Sequence, residues 1–227
     1  MDRKTFVAAT LAGIGIALGG VVFLFLDRRE AGIALTAAGV LAAAVGLFFL
    51  ARQALAGPRT GLRMGARAVA RLGLLLAVEI VLSRFLSISA WNLKIGLSFI
   101  PVVLAAVLYG PLPAAILGGL GDFLGAILFP IGPYFPGFTL TAFLTGMIFG
   151  LFLYRRRTLP RILASVGIIQ FVLGLLINSW WISLLYGSPY GPLLAARAVQ
   201  AVALTVIQIL VIWAITRSEK LIRILKG

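Results

Sequence analysis

The feature that most constrains the fold of this chain is a series of long apolar runs separated by short, mostly basic segments. A helix needs about 20 apolar residues to cross a bilayer, and only helices or closed barrels satisfy their backbone hydrogen bonds there. Eight such runs lie near residues 5–26, 31–51, 69–88, 97–109, 113–129, 138–154, 162–185 and 194–216. Only 11% of the residues are charged, against about 25% in soluble proteins. The sequence therefore predicts an all-α integral membrane protein with eight spans.

The positions of Lys and Arg predict how the chain is oriented in the membrane. Eight spans place both termini on one side, and 15 of the 20 basic residues then fall on that side. They are Arg3, Lys4, Arg52, Arg59, Arg63, Arg67, Arg71, Arg155, Arg156, Arg157, Arg161, Arg217, Lys220, Arg223 and Lys226. Loops rich in Lys and Arg usually face the cytoplasm. We therefore expect a multi-pass protein of the plasma membrane with both termini cytoplasmic.

A basic junction divides the chain into two parts. Residues 1–57 are predicted to form a transmembrane helical hairpin, residues 58–68 a basic cytoplasmic linker, and residues 69–227 a core of six spans. Four arginines at and beyond the linker are spaced four residues apart, which makes one stripe on a helix. The stripe is typical of a topology signal lying against anionic headgroups. A docking surface for a cytoplasmic partner is the alternative.

The composition excludes several classes of chemistry. The chain has no Cys and no His, which removes disulfides, thiolate nucleophiles, His-based acid–base pairs and most transition-metal sites. The six acidic residues are scattered, and no Lys follows a GxxxxG pattern that would form a phosphate-binding loop. The net charge of +14 is distributed between apolar runs as a topology signal, not as a nucleic-acid patch. We expect no enzymatic activity, no cofactor and no nucleic-acid partner, and any ATP-driven step needs another subunit.

Charged residues within the predicted spans are candidates for function, because each costs about 2.5–3.5 kcal/mol on insertion scales. They are Glu79, Arg84, Asp122 and Arg197. Arg84 and Arg197 fall near span ends, so interfacial anchoring is the alternative to ligand contact. Asp122 lies among glycines, which let a backbone or a ligand approach closely. We expect Asp122 at the base of a cavity, the alternative being a packing carboxylate paired with a neighbouring Arg. The sequence assigns no role to Glu79.

The segment FPIGPYFPG is unusual because it interrupts an apolar region with three prolines. Pro130, Pro133 and Pro136 prevent helix formation and stiffen the loop. Non-helical backbone near membrane depth is tolerated only where protein buries it or where it lines a cavity. We expect this loop to hold Tyr134 and Phe135 over the mouth of a cavity. A rigid interfacial turn with aromatic side chains is the alternative.

The predicted outer face carries further aromatic, amide and basic groups. They are Trp91, Asn92 and Lys94 of SISAWNLKIG, Asn178, Trp180 and Trp181 of INSWW, and Tyr186 and Tyr190 of YGSPYGP. Aromatic faces stack on flat rings, cations hold carboxylates, and amides read ring edges. This set predicts a flat, aromatic, anionic small molecule taken up from outside.

Several motifs in order resemble the folate-family S component of energy-coupling factor (ECF) transporters. They are VLSRFLSI (81–88), KIGLSFIPVVLAAVLYGP (94–111), GGLGDFLGAILFPIGPYFPGFTLTAFLTG (118–146) and INSWW (177–181). The resemblance covers about residues 69–216. It implies a six-helix subunit that captures folate or a related pterin outside and works with a transmembrane coupling protein and two cytoplasmic ATPases. The six-helix pattern of the family lacks the N-terminal hairpin predicted here. This hairpin either obstructs docking of the subunit to the coupling protein or stabilises the subunit in lipid.

The resemblance also implies functional residues. It implies that the substrate is contacted by Arg84, Lys94, Asp122 and the loop of Tyr134 and Phe135. With the residues indicated above, the candidate substrate contacts are Arg84, Trp91, Asn92, Lys94, Asp122, Tyr134, Phe135, Asn178, Trp181 and Arg197. The family's first core helix usually carries an Ala-xxx-Ala motif that packs against the coupling protein. Gly73 and Ala77 align with it as a small-xxx-small variant, core packing being the alternative. The first alternative is an S component that binds another flat vitamin or a purine-like compound. The second, which the residues favour less, is a membrane protein that has no role in transport.

Overall fold

The structure, a computed structural model, describes residues 65–89 and 94–218. Helices dominate these two ranges. They are α1 (Ala66–Arg84), α2 (Phe99–Tyr109), α3 (Pro111–Leu128), α4 (Pro136–Leu153), α5 (Leu159–Tyr186) and α6 (Tyr190–Arg217). The predicted hairpin, residues 1–57, and most of the predicted linker lie outside the described residues.

The six predicted core helices are confirmed, with ends that differ from the predicted runs by no more than about four residues. Three of the starts follow from proline, because Pro111, Pro136 and Pro160 lie in the first turn of α3, α4 and α5. Proline lacks an amide hydrogen, but amide groups in the first turn have no partner within the helix, so no hydrogen bond is lost there. Two tight connections depend on glycine, since Gly110 and Gly187 have φ of 97° and 64°.

Four of these helices, α3 to α6, are long and apolar enough to cross a membrane. Helix α2 has 11 residues, a length of roughly 16 Å, which is shorter than the hydrocarbon core of about 30 Å. Helix α1 has 19 residues and carries charged residues along its length. A membrane protein with several spans is thus confirmed. The predicted count of eight includes two runs outside the described ranges.

A short antiparallel strand pair joins α1 to α2, which the all-α prediction did not include. Strand β1 (Ile88–Ser89) pairs with β2 (Lys94–Ile95), with Ile88 opposite Ile95. The loop SISAWNLKIG was predicted only as part of a ligand site. The strand pair reverses the direction of the chain, so Lys94 lies close to the C-terminal end of α1.

Helices α3 and α4 pack closely through glycine. A Cβ on Gly146 of α4 would overlap the carbonyl of Ala114, and one on Gly118 of α3 would lie 2.6 Å from the Ala142 carbonyl oxygen. Small residues at such crossings let two backbones come into direct contact. Helix α1 then packs on α2 and α3, and α6 packs on α5.

The apolar core fills one end of the bundle, which we call the packed end. Its largest fully buried side chains include Phe149 and Leu153 of α4, Ile162 and Ile168 of α5, and Ile212 of α6. The opposite end, where α1 ends and α4 begins, is called the open end. The polar residues of the site described below lie toward the open end, so packing and ligand capture are separated along the bundle.

The packed end also carries the basic residues outside the site. In the described ranges these are Arg67, Arg71, Arg155, Arg156, Arg157, Arg161 and Arg217. The two acidic residues of the same ranges, Glu79 and Asp122, lie away from this end. This asymmetry matches the predicted assignment of the basic side to the cytoplasm.

Candidate functional site

The open end of the bundle encloses a cavity of about 590 Å³, a size typical of small-molecule sites. Every helix from α1 to α6 contributes to its lining, together with β2 and the proline loop between α3 and α4. Seven of the ten predicted substrate contacts line it: Arg84, Lys94, Asp122, Tyr134, Phe135, Asn178 and Arg197. Trp91 and Asn92 lie outside the described residues.

An ion pair between α1 and α3 forms one wall of the cavity. Arg84 Nη2 lies 3.7 Å from Asp122 Oδ1 and donates a hydrogen bond of 3.1 Å to the Asp122 backbone carbonyl. The Thr139 hydroxyl donates to Asp122 Oδ2 at 2.8 Å and lies 3.3 Å from the Tyr134 hydroxyl. Asp122 thus lines the cavity with both oxygens engaged, as the packing alternative supposed. Its carboxylate orients Arg84 and, through Thr139, connects α3 to the proline loop.

The glycines around Asp122 make room for charged side chains of α1. A Cβ on Gly125 would lie 2.6 Å from Arg84 Nε, and one on Gly121 would overlap the carboxylate of Glu79. At these two positions the glycines therefore admit side chains, not the backbone or ligand that the sequence suggested. Gly118, by contrast, meets the backbone of α4 at Ala142.

Glu79 lines the cavity although the sequence assigned it no role. Its side chain is only 7% exposed. Within residues 65–89 and 94–218, its Oε2 atom is buried and has no hydrogen-bond partner. A buried ionised carboxylate without a partner is costly.

Helix α5 lines the cavity through a π-helical segment, Ile168–Ile177. Segments of this kind are frequent at functional sites because they alter the direction of side chains and free carbonyl groups. Arg197 of α6 donates a hydrogen bond of 3.0 Å to the carbonyl of Gly174. Asn178, the first residue after the segment, accepts a hydrogen bond of 2.9 Å from the Thr141 hydroxyl. Both predicted contacts are therefore fixed by neighbouring helices.

The proline loop lines the cavity near its mouth with two aromatic residues, as predicted. Tyr134 is 42% exposed and meets Phe123 edge-to-face at a centroid distance of 5.8 Å. Phe135 contacts the Trp181 ring at 5.4 Å, and Trp181 stacks on Trp180 at 4.8 Å. Trp181 is not among the lining residues. It supports Phe135 from behind, where it was predicted to touch the substrate itself.

Lys94 connects the strand pair to the cavity mouth. Its backbone carbonyl accepts a hydrogen bond of 2.7 Å from the Gln200 amide of α6. The side chain is exposed toward the mouth, yet the surrounding protein lowers the pKa of the Lys94 ammonium, and the Arg84 guanidinium lowers it further. The carboxylates of Asp122 and Glu79 act in the opposite direction.

Sequence reasoning missed several polar residues of the cavity. They are Ser98, Thr141, Thr145, Gln170, Gln200 and Gln208, in addition to Glu79, which had been noticed but given no role. Gln170 and Gln208 are each 7% exposed and face the cavity from α5 and α6. A glutamine within an apolar run is itself a signal, since polar side chains in a span usually point to the interior or to a cavity.

The predicted docking residues lie on the outside of the bundle. Gly73 and Ala77 are exposed on α1, and a Cβ on Gly73 would have nothing within 4 Å among the described residues. These small residues do not pack the core, which was the alternative to docking. The described ranges contain no group of three His, Cys, Asp or Glu residues that could hold a metal ion.

Comparison with known families gives one match over most of the chain. The family model described as "ECF transporter, substrate-specific component" matches residues 67–216. The match begins one residue after the start of α1 and ends one residue before the end of α6. It therefore covers the helical bundle and the cavity.

Two curated relatives and one solved structure are similar to the chain. "Folate transporter FolT" of Clostridium novyi (strain NT) is 40% identical over 140 residues, which are 61% of this chain and 81% of the relative. "Folate transporter FolT" of Leuconostoc mesenteroides is 29% identical over 126 residues, 55% of this chain and 68% of the relative. A solved chain, "Crystal structure of FolT bound with folic acid", superposes with a TM-score of 0.64 at 34% identity. That match covers 67% of this chain and 93% of the solved one.

Proposed function

The chain belongs to the substrate-specific components of ECF transporters, and we propose that it captures folate at the outer face of the membrane and delivers it inward with a partner coupling module. The cavity at the open end is the observation that carries this proposal. The relatives named for folate, and the FolT structure named for its folic acid, support this substrate. The chain itself is a transporter subunit and not an enzyme.

The lining of the cavity fits the chemistry of folate, which joins a flat pterin to a benzoyl group and a dicarboxylate. Arg84, Lys94 and Arg197 supply cations for carboxylate and carbonyl oxygens. Tyr134 and Phe135 supply aromatic faces at the mouth.

The remaining predicted contacts act with these groups. Asn178 reads a ring edge through its amide, and Asp122 holds Arg84 in position. Trp91 and Asn92, outside the described residues, are proposed as further contacts, and Trp181 acts through Phe135.

The proposed orientation places the open end outside and the packed end in the cytoplasm, with both termini cytoplasmic in the plasma membrane. The arginine-rich packed end supports this arrangement. Inward delivery then depends on a transmembrane coupling protein and two cytoplasmic ATPases. The exposed pair Gly73 and Ala77 on α1 is the proposed contact with the coupling protein, because small residues allow two helices to approach closely.

Binding of folic acid by the purified chain tests the proposed function directly. We expect a dissociation constant in the nanomolar range, with quenching of tryptophan fluorescence because Trp180 and Trp181 lie behind the aromatic loop. At a ligand concentration of 100 times the dissociation constant, binding should stabilise the folded protein by about 2.7 kcal/mol. A thermal-shift panel of folic acid, riboflavin, biotin and purines provides the control. If another flat vitamin or a purine raised the melting temperature more than folic acid did, that compound would replace folate as the proposed substrate.

Substitution of the small residues of α1 should separate binding from transport. We expect Gly73→Leu to leave the affinity for folic acid within twofold of the parent and to lower folate uptake in cells at least tenfold. The added side chain would keep the coupling helix away from α1. Val202→Leu on the exposed face of α6 is the matched control and should leave both quantities unchanged. If cells with Gly73→Leu took up folate normally and the ATPase subunits still copurified with the variant, the surface around Gly73 and Ala77 would be excluded as the docking site.

A further inference from the structure

We propose that Gln170 selects the pterin ring of the substrate by pairing its side-chain amide with the 2-amino group and the adjacent ring nitrogen N1. The inference rests on the proposed function and deepens it, because it assigns a specificity-determining contact within the same cavity. It begins from the innermost part of the cavity, which we call the floor and define by Thr145, Gln170 and Gln208.

The floor is the part of the lining nearest the packed end. Gln170 lies at the inner limit of the lining on α5, eight residues deeper than Asn178. Gln208 is the innermost lining residue of α6, and Thr145 has the same place on α4. The cationic side chains of the lining, Arg84, Lys94 and Arg197, all lie nearer the open end. The floor therefore offers neutral polar groups, whereas the positive charge lies toward the mouth.

The Gln170 amide is buried but remains accessible from the cavity. The residue is 7% exposed and lines the cavity. Within residues 65–89 and 94–218 its amide has no hydrogen-bond partner, and neither of its polar atoms is enclosed by protein, unlike Oε2 of Glu79. Buried polar groups are normally hydrogen-bonded. An amide of this kind is therefore expected where a ligand supplies the missing donor and acceptor.

The π-helical segment of α5 supports this amide from one side. Gln170 belongs to the segment, and Gly174 follows four residues later. A Cβ on Gly174 would lie 3.5 Å from Gln170 Oε1 and 3.2 Å from the Ile169 carbonyl oxygen, so the glycine backbone passes directly beside the amide. Arg197 of α6 fixes that backbone through its hydrogen bond of 3.0 Å to the Gly174 carbonyl. The amide is thus held in place at the floor of the cavity.

The chemistry of the amide matches one part of folate. A primary amide presents a donor and an acceptor side by side, and glutamine reads adenine by pairing with its amino group and neighbouring ring nitrogen. The 2-amino group and N1 of a pterin form the same pattern. The glutamyl carboxylates offer only acceptors, and the N–H and C=O of the benzoyl amide point in opposite directions.

The shape of folate agrees with this assignment. The 2-amino group lies at the end of the pterin ring opposite the carbon that carries the rest of the molecule. A ligand that enters ring first therefore brings this group to the floor and to Gln170. Its carboxylates then remain near the mouth, where Arg84 and Lys94 supply positive charge.

The test compares folic acid with its 2-desamino analogue on the purified parent protein and on two matched variants. Gln170→Met keeps the length of the side chain and removes both hydrogen-bonding groups. Gln208→Met is the control, because Gln208 is also 7% exposed and lines the floor. Its Oε1 atom is enclosed by protein, so Gln208 cannot present a donor and an acceptor to the ligand together.

The preference for the 2-amino group is the quantity to measure. The parent should bind folic acid at least tenfold more tightly than the analogue, which has lost the amino donor. Gln170→Met should weaken the binding of folic acid at least thirtyfold and reduce the preference below threefold. Gln208→Met should keep the full preference. Loss of the preference in Gln208→Met as well would show that it depends on the shape of the floor and would overturn the inference.

The melting temperature without ligand separates this role from a structural one. Gln170→Met replaces an unpaired buried amide by an apolar group of similar shape, so we expect an unchanged or higher melting temperature. A lower melting temperature with equal loss of affinity for both ligands would assign Gln170 to structure and overturn the inference. If the parent bound no folic acid, the proposed function would fail together with this inference. If the parent bound folic acid and Gln170→Met kept the full preference, the inference alone would fail.

Discussion

Replacing Arg84 by alanine should weaken the binding of folic acid at least a hundredfold, which corresponds to about 2.8 kcal/mol. Two effects act in the same direction. The ligand loses a charge-assisted hydrogen bond, worth about 1.5–3 kcal/mol. In addition, Asp122 loses its ion-pair partner and keeps only the Thr139 hydroxyl, which leaves a carboxylate next to an anionic ligand. The Arg84 side chain is only 10% exposed, so water screens little of this change.

A double-mutant cycle with Asp122 distinguishes the two effects. If Arg84 binds the ligand itself, Arg84→Ala combined with Asp122→Ala stays as weak as Arg84→Ala alone. If Arg84 only neutralises Asp122, the double variant recovers most of the lost affinity. Arg156→Ala, an exposed arginine of the packed end, is the control and should bind like the parent. Affinities of Arg84→Ala within threefold of the parent, measured by fluorescence titration, would remove Arg84 from the site.

The sequence predicted much of the site because polar groups in an apolar chain are conspicuous. Arg84, Asp122 and Arg197 could be identified without neighbours, since each is a charge within a predicted span. What each one contacts could not be predicted. The ion pair of Arg84 with Asp122 and the space that Gly121 leaves for Glu79 join positions about 40 residues apart. Such contacts depend on how two helices are rotated against each other, which apolar periodicity alone does not fix.

The fold shows the same division between local and tertiary information. Apolar run length and the first-turn prolines placed the helices to within about four residues. The π-helical segment Ile168–Ile177 carries no comparable signal, because it depends on tertiary contacts: the carbonyls of Gly174 and Leu176 accept hydrogen bonds from Arg197 and Tyr190 of α6. Trp181 could not be distinguished from a ligand contact either. Its position behind Phe135 follows from the packing of α5 against the proline loop.

The second large effect is expected on stability, from Gly146→Val at the crossing of α3 and α4. A Cβ at this position would overlap the Ala114 carbonyl and lie 2.8 Å from Ala115 Cα, so the two backbones must separate. Overpacking of a core side chain costs about 1–3 kcal/mol, and a backbone cannot rotate away as a side chain can. We expect a loss near the upper end of this range, which lowers the melting temperature by roughly 10 °C in a domain of this size.

A matched glycine in another span shows whether the crossing itself causes the loss. Gly167 lies in α5, and a Cβ built there would have nothing within 4 Å among the described residues. Gly167→Val should therefore change the melting temperature in detergent by only a few degrees, and upward if at all, because valine has a higher helix propensity than glycine. Since α3 carries Asp122 and α4 carries Thr139, separating these helices should also weaken folic acid binding. Equal melting temperatures for Gly146→Val and the parent would mean that α3 and α4 do not meet through this glycine.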